Sequence, residues 1–163
     1  MLYVALSSSK FDLIMMDTTS TYTFIIANDD DAQLHHHASI VYGCKHQVLA
    51  LVKNGHELVE AVTKLQPNFV LSDLNMPQMN GLDACYTIKH KYPTINCIIT
   101  SVFSELSSYY KISAKGLNGF LFAPFTCHKL STCIQYILSN KFYIDLTYRR
   151  DFFNLIKKKY SHS

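Results

Sequence analysis

Four aspartates stand where apolar runs stop. Asp29, Asp30 and Asp31 come just after YTFIIA (22–27) and Asn28, and Asp73 closes NFVLSD (68–73). Carboxylates gathered in one place repel one another unless a cation intervenes, and Mg2+ takes carboxylates, a carbonyl and waters as ligands. Two hydroxyls, Thr100 and Ser101, stand at the end of a further apolar run, INCIIT (95–100). A hydroxyl there can donate to an anion held in the same site. Carboxylates, a hard cation and a hydroxyl are the equipment of phosphoryl transfer, where positioning and charge neutralisation do most of the catalysis.

That chemistry needs residues some 70 positions apart brought together. The chain alternates short apolar runs with longer amphipathic ones from Tyr22 onward. The runs 22–27, 47–52, 68–73, 95–100 and 119–122 have the length of buried strands. Helical spacing fills 32–42, 57–65, 82–90, 106–115 and 128–138 between and after them. Five repeats of strand then helix predict an α/β fold, a doubly wound parallel sheet with helices on both faces. In such a sheet, ligands collect at the carboxyl ends of the strands, where Asp29–Asp31, Asp73, Thr100 and Ser101 would fall. Asn54-Gly55, Pro67, Pro77, Pro93 and Gly116 all lie at the expected turns.

Length and composition set bounds on this reading. A chain of 163 residues suits one domain, and 48% hydrophobic with 17% charged residues is a globular composition. The pattern divides it into an N-terminal extension (1–21), a domain (22–140) and a basic, aromatic tail (141–163), helical in part around 151–160. Met15 or Met16 is a possible natural start, because everything the fold needs begins near Tyr22. A net charge of +3 is too small to imply a nucleic-acid partner. No apolar run is long enough to span a bilayer, and the first residues lack the positive n-region of a signal peptide. The five cysteines include no C-x-x-C pair and are expected as reduced thiols of a cytoplasmic protein.

The motifs carry a family resemblance. DLNMPQMNG (73–81) resembles the phosphoacceptor loop of two-component response-regulator receiver domains, and Asp29–Asp30 resembles their metal-binding acidic pair. GLNGF (116–120) and APF (123–125) resemble the segments around the family's fifth strand. The resemblance runs over 22–140 and implies the flavodoxin-like (βα)5 fold, five strands in the order 2-1-3-4-5. It implies Asp73 as phosphoacceptor from a histidine kinase or phosphotransfer protein. It implies Mg2+ held directly by Asp30, Asp73 and the carbonyl of Asn75, with Asp29 acting mainly through water. Ser101 would be the switch hydroxyl and Phe120 the aromatic switch, presenting an altered face to a downstream protein target or a homodimer partner.

One position departs from the family: Ala123 replaces the lysine that usually precedes the proline. Losing a hydrogen bond to a charged group costs roughly 1.5–3 kcal/mol. Lys115 and Lys129 are candidates to supply a cation instead, though nothing in the spacing requires it. Phe103, two residues after Ser101, is a candidate shield for a phosphoaspartate. Ala123 favours the alternative reading, a pseudo-receiver that acts by protein contacts without phosphorylation. Residues after 140 are too few for a helix-turn-helix output domain, so the expectation is a stand-alone receiver or one lacking its output domain, with no nucleic-acid partner.

The remaining polar features have plainer readings. His35, His36 and His37 are consecutive on a helix, point in different directions and are expected on a solvated face rather than around a metal. Cys85, Cys97 and Cys133 fall on apolar faces and read as core fillers. The basic tail reads as a solvated helix face.

Overall fold

The computed structural model describes residues 20–102 and 116–145. Within them run β1 (Thr23–Ala27), α1 (Asp31–Gly43), β2 (Gln47–Val52), α2 (Gly55–Leu65), β3 (Phe69–Asp73), α3 (Gly81–Lys91) and β4 (Asn96–Ser101). They are followed by β5 (Gly119–Phe122), α4 (Cys127–Leu138) and β6 (Tyr143–Ile144). The segment expected as a helix over 106–115, together with Phe103, Lys115 and the tail helix over 151–160, lies outside the described residues.

All strands pair in parallel, in the order β2-β1-β3-β4-β5-β6. This is the expected 2-1-3-4-5 arrangement with one strand added. The addition falls in the region expected as tail: Gly119 pairs with Tyr143 and Phe120 with Ile144. Two residues are too few to show a period in the sequence, so β6 had no signal there. An ion pair to a buried carboxylate follows it. Lys129 Nζ lies 2.7 Å from Oδ2 of Asp145, which is 2% exposed. Lys129, one of the two candidate cations for the place of the missing lysine, is thus engaged with Asp145 beside β6.

Strand alternation builds a core on each face of the sheet. Ile25, Ala27, Val70, Cys97, Ile99 and Phe120 pack towards α2 and α3, with Leu58, Val62, Leu82, Cys85 and Ile88. Phe24, Ile26, Phe69, Leu71, Ile98 and Leu121 pack towards α1 and α4, with Leu34, Val41, Leu130 and Ile134. β2 differs from the buried strand expected. It is an edge strand, and Leu49 and Leu51 face solvent.

A side-chain cap opens each described helix, satisfying an N–H that the helix itself leaves unpaired. Asp30, Asn54, Asn80 and Thr126 accept from the backbone N–H of Gln33, Glu57, Asp83 and Lys129. Two further expectations are corrected in α1. His37 is buried, 1% exposed, while His35 and His36 face solvent, because His37 shares the inward stripe of Leu34, Ala38 and Val41. Cys44, which caps α1, is disulfide-bonded to Cys127, the first residue of α4, at a Cα–Cα distance of 5.6 Å. Helix packing joins residues 83 positions apart, which spacing along the chain could not reveal. Cys85, Cys97 and Cys133 are free and buried, as expected.

Candidate phosphoacceptor site

Asp73 ends β3 between the ends of its two neighbours. It pairs with Thr100 of β4, and on the other side the register Ala27↔Ser72 brings the residue after β1 alongside it. The loop after Asp73 is tightly held. Leu74 N–H donates to the Thr100 carbonyl at 2.9 Å and Gly81 N–H to the Leu74 carbonyl at 3.0 Å. Leu74 and Met76 are buried, and Gly55 N–H, opening α2, donates to the Met79 carbonyl at 3.0 Å. Gly81 sits so close beneath Asp73 that a Cβ would overlap the Asp73 carbonyl oxygen.

The three consecutive aspartates divide their work. Asp31 is ion-paired with Lys53 at 2.8 Å, and the hydrogen bond and charge of that lysine hold its carboxyl below the usual range. Asp30 caps α1, its Oδ1 accepting from Gln33 N–H at 2.9 Å. Asp29 is the member of the run whose charge bears on Asp73. Burial pushes the Asp73 carboxyl up to about 6, the Asp29 charge adds to this, and N–H donation from Asn75 and Leu74 opposes it. The Asn75 N–H lies 2.9 Å from Asp73 Oδ2.

Two carboxylates forced together, with one already resisting ionisation, suit a divalent cation. Among the described residues no three His, Cys, Asp or Glu side chains converge. Such an ion would therefore rest on Asp29, Asp73, backbone oxygen and water, a donor set suited to Mg2+, which keeps several waters.

The other expected residues lie on β4 and β5. Ser101, buried, follows Thr100 and pairs with Phe122, and its carbonyl accepts from Ala123 N–H at 2.9 Å. Phe120 is buried in the core facing α2 and α3, its ring edge-on to Phe122 at 5.0 Å. Ala123 packs partly against the opposite core, and the Ala123–Pro124 bond is cis.

This arrangement matches the model of the response regulator receiver domain over residues 24–135. The chain belongs to that family. Receiver domains of two-component systems are signalling domains, and they generally bind Mg2+ at their acidic phosphorylation site. This receiver is 27% identical over 98 residues to the transcriptional regulatory protein DegU of Brevibacillus brevis, a match covering 60% of this chain and 42% of that protein. It therefore spans less than half of that relative's length. It is 28% identical over 97 residues to the chemotaxis protein CheY of Listeria monocytogenes, covering 60% of this chain and 82% of CheY. A two-component response regulator of the LuxR family from Aurantimonas shares its fold with TM-score 0.76 at 16% identity, covering 83% of this receiver and 97% of that chain.

Sequence reasoning had placed Asp30 as a direct metal ligand and given Asp29 the lesser role. In this receiver Asp30 is committed to the helix cap, and the carboxylate electrostatically coupled to Asp73 is Asp29. α1 starts at Asp31, one residue before the expected 32, and that single step moves the cap onto Asp30. Sequence reasoning also passed over Asn28, which is buried and, with the register Ala27↔Ser72 carried one residue on, falls beside Asp73. Its place at the end of an apolar strand was the available signal. No helix among the described residues is long and apolar enough to cross a membrane.

Proposed function

We propose that this receiver accepts a phosphoryl group on Asp73 from a histidine kinase or phosphotransfer protein, with Mg2+ bound, and so changes its contacts with a downstream protein. An Asp73 carboxylate oxygen attacks phosphorus, the P–N bond of the phosphohistidine donor breaks, and the imidazole leaves with its electron pair. Bound Mg2+ would supply charge neutralisation at the site. Asp29, Asp73 and the Asn75 carbonyl would hold it, with Asp30 kept at the helix cap. Ser101 then draws towards the phosphoryl group, and Phe120 carries the change to the surface. The observation supporting this reading is Asp73 itself, a half-buried carboxylate raised to about 6 by burial, with the Asp29 charge adding to it.

Residues 22–145 form the phosphoaccepting unit in this reading, because β6 completes the sheet, with 1–21 and 146–163 as flanking segments. A homodimer, a cytoplasmic location and the absence of a nucleic-acid partner belong to the same proposal. Ala123 favours a second reading, a receiver that works through standing protein contacts. Phe120, already buried, agrees with it.

Intact mass after incubation with acetyl phosphate and Mg2+ separates the two readings. One phosphoryl adduct, absent in Asp73→Asn and abolished by EDTA, is the expected result. No adduct on the wild-type chain would leave the second reading standing.

A further inference from the structure

Asn28 follows β1 directly. The side chains of Phe24 and Ile26 share one face of the sheet with those of Phe69 and Leu71. The parallel register Ile26↔Leu71, Ala27↔Ser72, carried one residue on, sets Asn28 beside Asp73 on that same face. Asn28 is 2% exposed. Its Oδ1 accepts from Asp30 N–H at 2.9 Å, which fixes the amide nitrogen as the other end. That nitrogen, Nδ2, is buried without a hydrogen-bond partner among the described residues. A buried donor left unpaired costs free energy, and such groups are retained where something binds them.

The missing partner is an acceptor. A cation is excluded by the charge on an amide N–H. Asp73 stands alongside but does not accept from Nδ2. At the end of β5, Ala123 offers no cation to an anion arriving at Asp73. A carboxylate in the place of Asn28 would add a third negative charge there, whereas an amide of the same shape adds a neutral donor.

We infer that Asn28 Nδ2 donates a hydrogen bond to an oxygen of the phosphoryl group carried by Asp73, making Asn28 an anion-binding residue of the site. This rests on the reading of Asp73 as phosphoacceptor. The role is specific to an oxyanion, so it affects anion affinity and not metal affinity.

The test uses the full chain with Mg2+ and beryllofluoride, a phosphoryl analogue, followed by fluorine NMR. Mg2+ affinity is measured separately without fluoride, and thermal melts verify folding. Asn28→Asp preserves shape and the bond from Asp30 N–H but loses the donor. It is expected to weaken beryllofluoride binding at least about tenfold, while Mg2+ binds as well or better. Asn28→Ala is expected to weaken it roughly three- to tenfold, the range for one neutral hydrogen bond, with Mg2+ affinity unchanged. Beryllofluoride affinity within twofold of wild type in both variants would overturn the inference. So would parallel losses of Mg2+ and anion binding in Asn28→Ala. Asp73→Asn keeps the two levels apart. If wild type binds the analogue and Asp73→Asn does not, the acceptor reading stands whatever Asn28 does. If wild type fails to bind it, both fall.

Discussion

Gly81 lies against the backbone carbonyl of Asp73 with no room for a side chain between them. Ser72 Oγ, itself bonded to that carbonyl at 3.0 Å, is the next atom a Cβ would meet. Because the first obstacle is backbone, rotamer changes cannot relieve it. Gly81→Ala must push α3 away from the acceptor loop. Overpacking of this kind costs about 1–3 kcal/mol. Urea denaturation should show that loss, and acetyl-phosphate labelling of the folded variant should slow, because the loop holding Asn75 moves with Gly81. A variant of unchanged stability and labelling rate would mean that the loop position is not set by this contact.

The charge on Asp73 costs stability, and the sign follows from its raised carboxyl. The unfolded chain ionises near 3.8 and the folded one near 6. The folded state therefore binds the proton more tightly, and stability falls as pH rises from about 4 to 6. Solvent screening at this half-buried position leaves about 1–2 kcal/mol of the effect. Asp73→Asn, which cannot ionise, should be more stable than wild type by about that amount at pH 8, and equal to it near pH 3.5. Mg2+ at pH 8 should raise the melting temperature of wild type and leave that of Asp73→Asn unmoved. A wild-type chain as stable as the variant at pH 8 without metal would show that the acceptor carries no such penalty.

The Cys44–Cys127 cross-link closes a loop of 83 residues across α1 and α4. In the chain-entropy account, a bond of this span restricts the unfolded chain by about 4.5 kcal/mol, and typical measured effects are about 2–4 kcal/mol. Urea unfolding with a dithiol reductant should show that loss. Cys44→Ser should show it without reductant, and reductant should then change nothing further. Finding all five thiols titratable in the untreated, denatured chain would remove the cross-link and the prediction with it.

These features differ in how far the sequence announces them. The five strands, Asp73 at a strand end and the glycines of its loop were legible because local period and turn residues agree with the global fold. Which of Asp29, Asp30 and Asp31 faces Asp73 was not, because that turns on where α1 begins, and caps shift by single residues. The disulfide joins residues 83 positions apart, and the Lys129–Asp145 pair ties α4 to a two-residue strand too short to show a period, so no local pattern encodes either. His37 was legible and missed. Leu34, His37, Ala38 and Val41 follow the spacing of one helix face, yet the run of three histidines read as a polar surface.

His37 makes acid the sharpest probe of this fold. Its ring lies 4.8 Å from that of Phe125, centroid to centroid, and its Nδ1 is buried without a hydrogen-bond partner among the described residues. Burial, helped by the neighbouring His36, lowers its proton affinity from 6.5 to about 4. The unfolded chain thus takes up this proton first, so stability is fully present above about pH 6.5 and is lost as pH falls towards 4. Between pH 7 and pH 5 the loss is about 2 kcal/mol. His37→Leu keeps an apolar group against Phe125 and has no proton to gain. Its stability at pH 7 should match or exceed that of wild type, since an unpaired polar atom has been removed. The difference between the two proteins should then widen by about 2 kcal/mol at pH 5. The other histidines are common to both chains, so the widening isolates His37. Urea midpoints that fall in parallel from pH 7 to pH 5 would show that the ring is protonated in the folded chain, and that α1 does not bury it as described.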